Sequence, residues 1–330
     1  MKTLNGLLFT LLVISGFTGG CSSGLENSTY SGRESSLRQA KTVYQYSHAY
    51  QFGTPSENGL LTDIQHFDPH GNITIHRKLN LEGKLRSQVN YIYNHLHQLI
   101  ETRYYNQDQL LESRIVLNYD DLGRHIRNTE YDETGTIMNA EVIRYGSNNL
   151  VAETVYYGPD GTILWKTSYL YSDDNQKVEV KTIEGGGLIT KREILHLNEL
   201  GQISERFDYF PSGTVRQIFA YQYNDQGKKV ADECYFPDGT LSWQVVYRYD
   251  RKGRLVLTAK QREDGIIEHR GVNFYNSDGL VARQNGDIGS LMYNKETFAY
   301  DNHGNRTHWI KYDPVLNEPV ELVRYTYEYY

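Results

Sequence analysis

A five-residue turn signature returns every 26 residues along this chain, and that spacing leaves room for little except short antiparallel strands. The signature is an aromatic residue, often Asp or Asn, two variable positions and a Gly. One set ends at Gly71, His97, Gly123, Asn149, Asn175, Gly201, Gly227, Gly253 and Gly279. A further copy, Tyr300 to Gly304, comes one residue early and implies a deletion near Asn285–Ser290. A second set interleaves at Gly83, Gln109, Gly135, Gly161, Gly187, Gly213, Gly239 and Gly265, so turns alternate at 12 and 14 residues. Self-similarity at a fixed period is the mark of a repeat architecture. Each turn reads as a hairpin loop, its Asp or Asn bonding local backbone and its final residue taking a positive φ. Asn tolerates that conformation next best after Gly, whereas His97 and Gln109 fit it poorly.

The intervening segments predict strands of about seven to nine residues. Two positions past the second-set turns stand Leu85, Leu111, Ile137, Ile163, Ile189, Val215, Leu241 and Ile267. From there the apolar positions alternate, as in Leu241, Trp243, Val245, Tyr247 and Tyr249, which fixes register because a one-residue slip would turn them all to the other face. Strands after the first-set turns alternate less cleanly. The reading is therefore all-β: an antiparallel meander of about ten 26-residue double-strand repeats, forming a curled or spiral single sheet. Its inner face is expected to carry the aliphatic and tyrosine columns. Tyr44 to Gly71 departs from the spacing and reads as a capping strand pair, Tyr91 to Arg103 is the least strand-like stretch, and Tyr325 to Tyr330 reads as the closing edge strand.

The N-terminus carries an address. Lys2 precedes an apolar run from Leu7 to Phe17, too short to span a bilayer but suited to an export signal. Thr18-Gly19-Gly20-Cys21 resembles the lipobox of bacterial lipoproteins, with Thr18 where that family prefers Leu. The resemblance implies cleavage before Cys21, lipid attachment to it, and, with Ser22 following, an outer-membrane position facing the periplasm. Three segments follow: a signal peptide (1–20), a lipidated Cys21 with a Ser/Gly-rich tether (21–42), and the repeat domain (43–330). Cys234, in a strand pattern, is expected to be a buried, inert thiol.

Tyr247-Arg248-Tyr249-Asp250-Arg251-Lys252-Gly253-Arg254-Leu255 resembles the YD repeat of Rhs-type and teneurin-type proteins, and Phe298 to Asn305 is a second copy. The resemblance covers residues 60–330, with a unit longer than the usual one. The hairpins also resemble MORN-type repeats, found in some bacterial lipoproteins of antitoxin-like description. Either resemblance implies β-hairpin repeats that bind protein or sugar; neither implies catalysis.

Composition limits the partners. The chain has 330 residues, a net charge of −7 and 29 tyrosines against 3 Trp and 10 Phe. An acidic balance argues against nucleic acid, because phosphate neutralisation needs a Lys/Arg surplus. Catalytic signatures such as Gly-x-Ser-x-Gly and His-Glu-x-x-His are missing, and Gly185-Gly186-Gly187 reads as a turn. His66, His70 and His76, His95 and His97, and the acidic pairs Asp120-Asp121 and Asp173-Asp174 read as turn and strand residues rather than metal ligands. No cofactor or metal is expected. The candidate binding surface is the aromatic set Tyr119, Tyr145, Tyr171, Tyr223, Tyr249, Tyr275, Trp165 and Trp243, although tyrosine also suits a pleated surface for structural reasons, and the two tryptophans read as core. The expectation is a non-enzymatic, envelope-anchored protein-binding module. The alternatives are an immunity protein neutralising a secreted toxin such as a lipase or phospholipase, and a carbohydrate or cell-wall binder.

Overall fold

A computed structural model describes residues 40–288 and 291–330. The signal segment, Cys21 and nearly all of the tether lie outside the described residues. The first strand begins at Ala40, inside the stretch read as tether.

Twenty-three strands follow one another with hairpin connections and no helix among the described residues. Nine-residue strands such as Leu85–Tyr93, Leu111–Tyr119 and Leu241–Tyr249 alternate with strands of seven or eight such as Leu99–Tyr105 and His125–Asp132. The eight aliphatic positions after the second-set turns each open a nine-residue strand. Tyr91 to Arg103, the least strand-like stretch by sequence, is a hairpin like the rest: Tyr91 faces Thr102 and Asn94 to Gln98 form its turn. At the expected deletion, Ile288 pairs with Leu291, and residues 289–290 lie outside the described set.

The sheet is closed, which corrects the expectation of an open, curled or spiral sheet. Ala40–Gln51 pairs antiparallel with Leu60–Phe67 on one side and with Pro319–Tyr329 on the other. Tyr325 to Tyr329 is therefore not an edge, and the segment before Gly71 is the closing element rather than a cap. Every other strand from Leu60 onward pairs with its predecessor and successor, which leaves a barrel of 22 strands. The remaining strand, Thr54–Pro55, only folds back on the end of the first. Closure was illegible locally because it joins opposite ends of the sequence. It follows from twist accumulating over many strands, and it removes the unpaired edges an open sheet would expose.

At ~4.8 Å between strands the circumference is about 105 Å before tilt, far more than side chains can fill. Burial agrees. The largest fully buried side chains among the described residues are only Val155, Val323, Asn305, Thr42 and Cys234. Most strand positions on both faces are half-buried, so the expected greasy inner face is not a dry core. Side-chain hydrogen bonds and ion pairs instead run around the wall, between neighbouring strands and turns.

The turns follow the sequence logic closely. In the copy at Asp120, the N–H groups of Leu122 and Arg124 donate to Oδ1 at 3.0 and 2.9 Å, and the N–H of Gly123 donates to the Asp120 carbonyl at 2.9 Å. Asn224 repeats the arrangement with Gln226 and Lys228. The fifth residue takes a positive φ even where it is not Gly: 60° at His97, 62° at Gln109, 61° at Asn149 and 56° at Asn175. Gly185 is required for a different reason. A Cβ there would lie 2.0 Å from the carbonyl oxygen of Ile163, so the triple-glycine run is a turn pressed against its neighbour.

Two consequences are testable. Asn224→Ala removes two backbone hydrogen bonds and should cost about 1–2 kcal/mol in urea unfolding, whereas Gln109→Gly should stabilise by about 1 kcal/mol by relieving the left-handed backbone. Acid should also loosen the barrel. The Asp120 carboxyl is held below the usual range by Arg124 and by backbone donors, and Asp250 likewise by the backbone and side chain of Arg254. At Asp68 and Asp301 burial pushes upward, but hydrogen bonds outweigh it and the carboxyls stay low. Lowered carboxylates contribute stability that is complete above the unfolded value of about 4 and is lost as pH falls through the folded ones. Asp208, pushed up by burial, works in the opposite sense. Thermal midpoints should therefore fall steeply below about pH 4.

Candidate functional site

The tyrosines that close the nine-residue strands form a ladder around one rim. All but one donate the hydroxyl to the backbone carbonyl 20 residues earlier, among them Tyr119 to Leu99 at 2.8 Å, Tyr145 to His125 at 2.9 Å, Tyr223 to Ile203 at 2.8 Å, Tyr249 to Lys229 at 2.7 Å and Tyr275 to Leu255 at 2.7 Å. Tyr171 makes no such bond. Cations from the adjacent turns lie over the rings, Arg124 over Tyr145 at 4.4 Å and Arg254 over Tyr275 at 4.3 Å. Turn also bonds turn: Gln98 and Gln202 donate to the carbonyls of Gly123 and Gly227 at 2.9 and 2.8 Å. The hydroxyls of five of the six candidate tyrosines are thus engaged with the wall, and their rings are half-buried rather than fully presented. Burial, first of all, pushes each of these hydroxyls above its ordinary value.

The two candidate tryptophans are nearer the opposite rim. Trp165 is 40% exposed and stacks on Tyr156 with ring centres 3.9 Å apart. Trp243 is half-buried, edge-on to Phe219 at 6.2 Å, with Lys260 Nζ 5.4 Å from its ring. Cys234, opposite Trp243, is buried, and Gln217 donates to its Sγ at 3.6 Å.

Both faces of the wall are polar in mid-strand. On the aliphatic and tyrosine face, His76 meets Asp63 at 2.7 Å, Lys191 meets Glu193 at 3.0 Å and Arg206 meets Asp208 at 3.0 Å. On the other face, Glu101 holds Arg103 and Arg114, Glu153 holds Arg144 and Lys166, and Arg192 meets Glu179 at 2.9 Å. A bilayer-spanning barrel needs an outward apolar band about 25 Å tall, and neither face supplies one.

One stretch of wall on the aliphatic and tyrosine face forms a recess of about 330 Å³. Leu99, Ile115, Leu117 and Tyr156 supply its apolar lining, and Thr102, Asn128, Glu130, Asn139 and Glu141 its polar lining. Register explains the grouping. Asn128 faces Glu141 and Glu130 faces Asn139 across one strand pair, so the two carboxylates are diagonal neighbours. The amide of Asn128 donates to Glu141 at 3.1 Å and that of Asn139 to Glu130 at 2.7 Å. The carbonyl oxygen of Asn128 is buried with no hydrogen-bond partner. Sequence reasoning passed over these residues. The available signal was Glu141, a charge in the same alternation as Ile137, Ile143 and Tyr145.

The histidines do not converge. His66 Nδ1 is 3.2 Å from the Thr42 hydroxyl, with burial holding its pKa down, while His76 pairs with Asp63 and His70 lies tilted against His97 with ring centres 3.9 Å apart. Among the described residues no group of three or more His, Cys, Asp or Glu is placed to hold a metal ion.

No family model and no curated protein matches the chain. Several solved structures are similar to it over much of its length. A porin-like protein from Bacteroides uniformis is 11% identical, with 88% of this chain and 98% of that one covered and a TM-score of 0.32. TcdB2-TccC3-TEV is 12% identical over 79% of this chain, with a TM-score of 0.28. A Tc holotoxin pore from Photorhabdus luminescens is 11% identical over 81% of this chain, with a TM-score of 0.24. The chain spans 16% and 19% of the lengths of the last two. Likeness at this level carries no argument about function.

The ladder itself can be tested. Tyr249→Phe deletes the bond to the Lys229 carbonyl and should cost about 1 kcal/mol of unfolding free energy, whereas Tyr171→Phe should be neutral within ~0.5 kcal/mol.

Proposed function

We propose that this protein is a non-enzymatic, envelope-anchored module that binds a polypeptide on its barrel wall. The observation that carries this reading is the wall itself: a closed 22-stranded sheet without a packed core, whose two faces are both half-exposed and both set with aromatic rings, amides and carboxylates. Those groups give recognition chemistry of the kind that distinguishes interface cores, where aromatic residues are enriched. The export signal and lipobox-like Cys21 support attachment to the outer membrane on the periplasmic side, and the Tyr-Asp-x-x-Gly turns support a YD-type or MORN-like repeat. An acidic chain suits a partner with basic surface and disfavours nucleic acid.

In-cell photo-crosslinking from Tyr104, Trp165 or Trp243 positions tests the reading. One protein joined in stoichiometric yield from these wall positions, and absent from a control position at Lys252, is the expected outcome. A secreted toxin as that protein, with loss of self-protection on gene deletion, would make the module an immunity protein. Recovery of glycan alone, or of nothing, would overturn protein binding. Separately, Cys21→Ala should abolish incorporation of labelled palmitate; undiminished labelling would remove the anchor from the proposal.

A further inference from the structure

We infer that the recess around Glu130 and Glu141 is a binding site for a cation carried on an aliphatic stem, the chemistry of a lysine side chain. The inference rests on the protein-binding reading and specifies what part of the partner the wall takes. Three observations converge on it. The polar lining atoms not already engaged are acceptors, apart from the hydroxyls of Thr102 and Tyr156. Each glutamate accepts one bond, from one asparagine amide, and its other oxygen is uncommitted. The Asn128 carbonyl oxygen adds a third acceptor, buried and without a donor. Its orientation is settled by Glu141, because the amide nitrogen must face the carboxylate.

The charge is also uncompensated on that face. Arg103, Arg114, Arg127, Arg144 and Lys166 stand on the strands that build the recess, but register places all of them on the other side of the sheet. Among the described residues, neither Glu130 nor Glu141 has a cationic partner within ion-pair distance. Their field is felt locally: burial first, and then both charges, push the Tyr156 hydroxyl up, and Glu130 adds to the rise at Tyr104. A bare cation would waste the remaining lining. Leu99, Ile115 and Leu117 offer an apolar wall to a stem, and Tyr156, braced by Trp165, offers an aromatic face of the type that attracts ammonium groups. An ammonium with three donors on a four-carbon chain satisfies both halves of the site.

Isothermal titration of the full chain with 1,5-diaminopentane and with a Gly-Lys-Gly peptide tests the inference, with Trp165 fluorescence as a second readout. Saturable binding is expected with either probe or both, weakened at least tenfold by Glu130→Gln/Glu141→Gln. The charge-matched Glu133→Gln/Asp160→Asn variant, altered in the turns of the rim, should bind as the unaltered chain does. Binding by the diamine alone would mark a free amine as the ligand, and binding by the peptide alone a partner's lysine. Absence of saturable binding, or equal weakening in the two variants, would overturn the site. If crosslinking from Trp243 still captures a protein in that case, the wall binds protein without this recess.

Discussion

The barrel depends on one strand finding two partners from opposite ends of the chain. Ala40–Gln51 lies between Leu60–Phe67 and Pro319–Tyr329, and without it both would be open edges. The seam is also where burial concentrates. Ala40, Thr42, Val43, His48, Leu322 and Val323 are all at most 8% exposed, six such positions on two strands, whereas elsewhere on the wall positions this buried, such as Val155 and Cys234, are spread thinly over many strands. Tyr44 donates to Glu328 at 3.1 Å across it, and the hydroxyl of Tyr330 reaches the carbonyl of Phe67 over the strand between. Closing so long a loop is entropically unfavourable, though the cost rises slowly with length. The dense seam is the physical offset to that cost.

Away from the seam, stability is distributed rather than centred. Each hairpin touches its neighbours and little else, as in solenoids, but here the array returns on itself. Buried apolar volume, the usual source of stability, is scarce. Its place is taken by repeated local devices: an Asx-anchored turn, a positive-φ fifth residue, and a tyrosine hydroxyl tying one hairpin to the backbone of the one before. The abundance of tyrosine follows from that last device. Its ring covers pleated backbone and its hydroxyl satisfies a carbonyl at the rim, which Phe cannot do.

A wall held together locally leaves its broad faces free for chemistry. Short strands place Glu130, Asp208 and Asp232, and a nine-residue strand places Glu193, among aliphatic and aromatic columns. Several are matched by a nearby cation or hydroxyl: Glu193 by Lys191, Asp208 by Arg206, and Asp232 by Lys229 and Tyr247. Burial raises Tyr221 to about 12 in this neighbourhood, so its hydroxyl stays protonated at neutral pH. Glu130 and Glu141 differ in having asparagines opposite them, which orient the carboxylates without neutralising them. That difference separates a wall that merely holds together from a place on it suited to a ligand.

The hairpins were legible in the residues because their causes are local. Asp or Asn three positions before a second constrained residue makes a turn, and an aliphatic residue two positions later opens a strand whose alternation follows from the pleat. Even His97 and Gln109, poor residues for a left-handed backbone, adopt it because the flanking strands demand that turn. The recess was less legible: only tertiary pairing shows that Asn128 faces Glu141 and that the nearby arginines point away. Closure was decided wholly in three dimensions. It joins residues 284 positions apart, as Tyr44 and Glu328, and depends on twist summed over the whole sheet. No window of sequence carries that sum, since each hairpin would look the same in an open sheet and in a barrel.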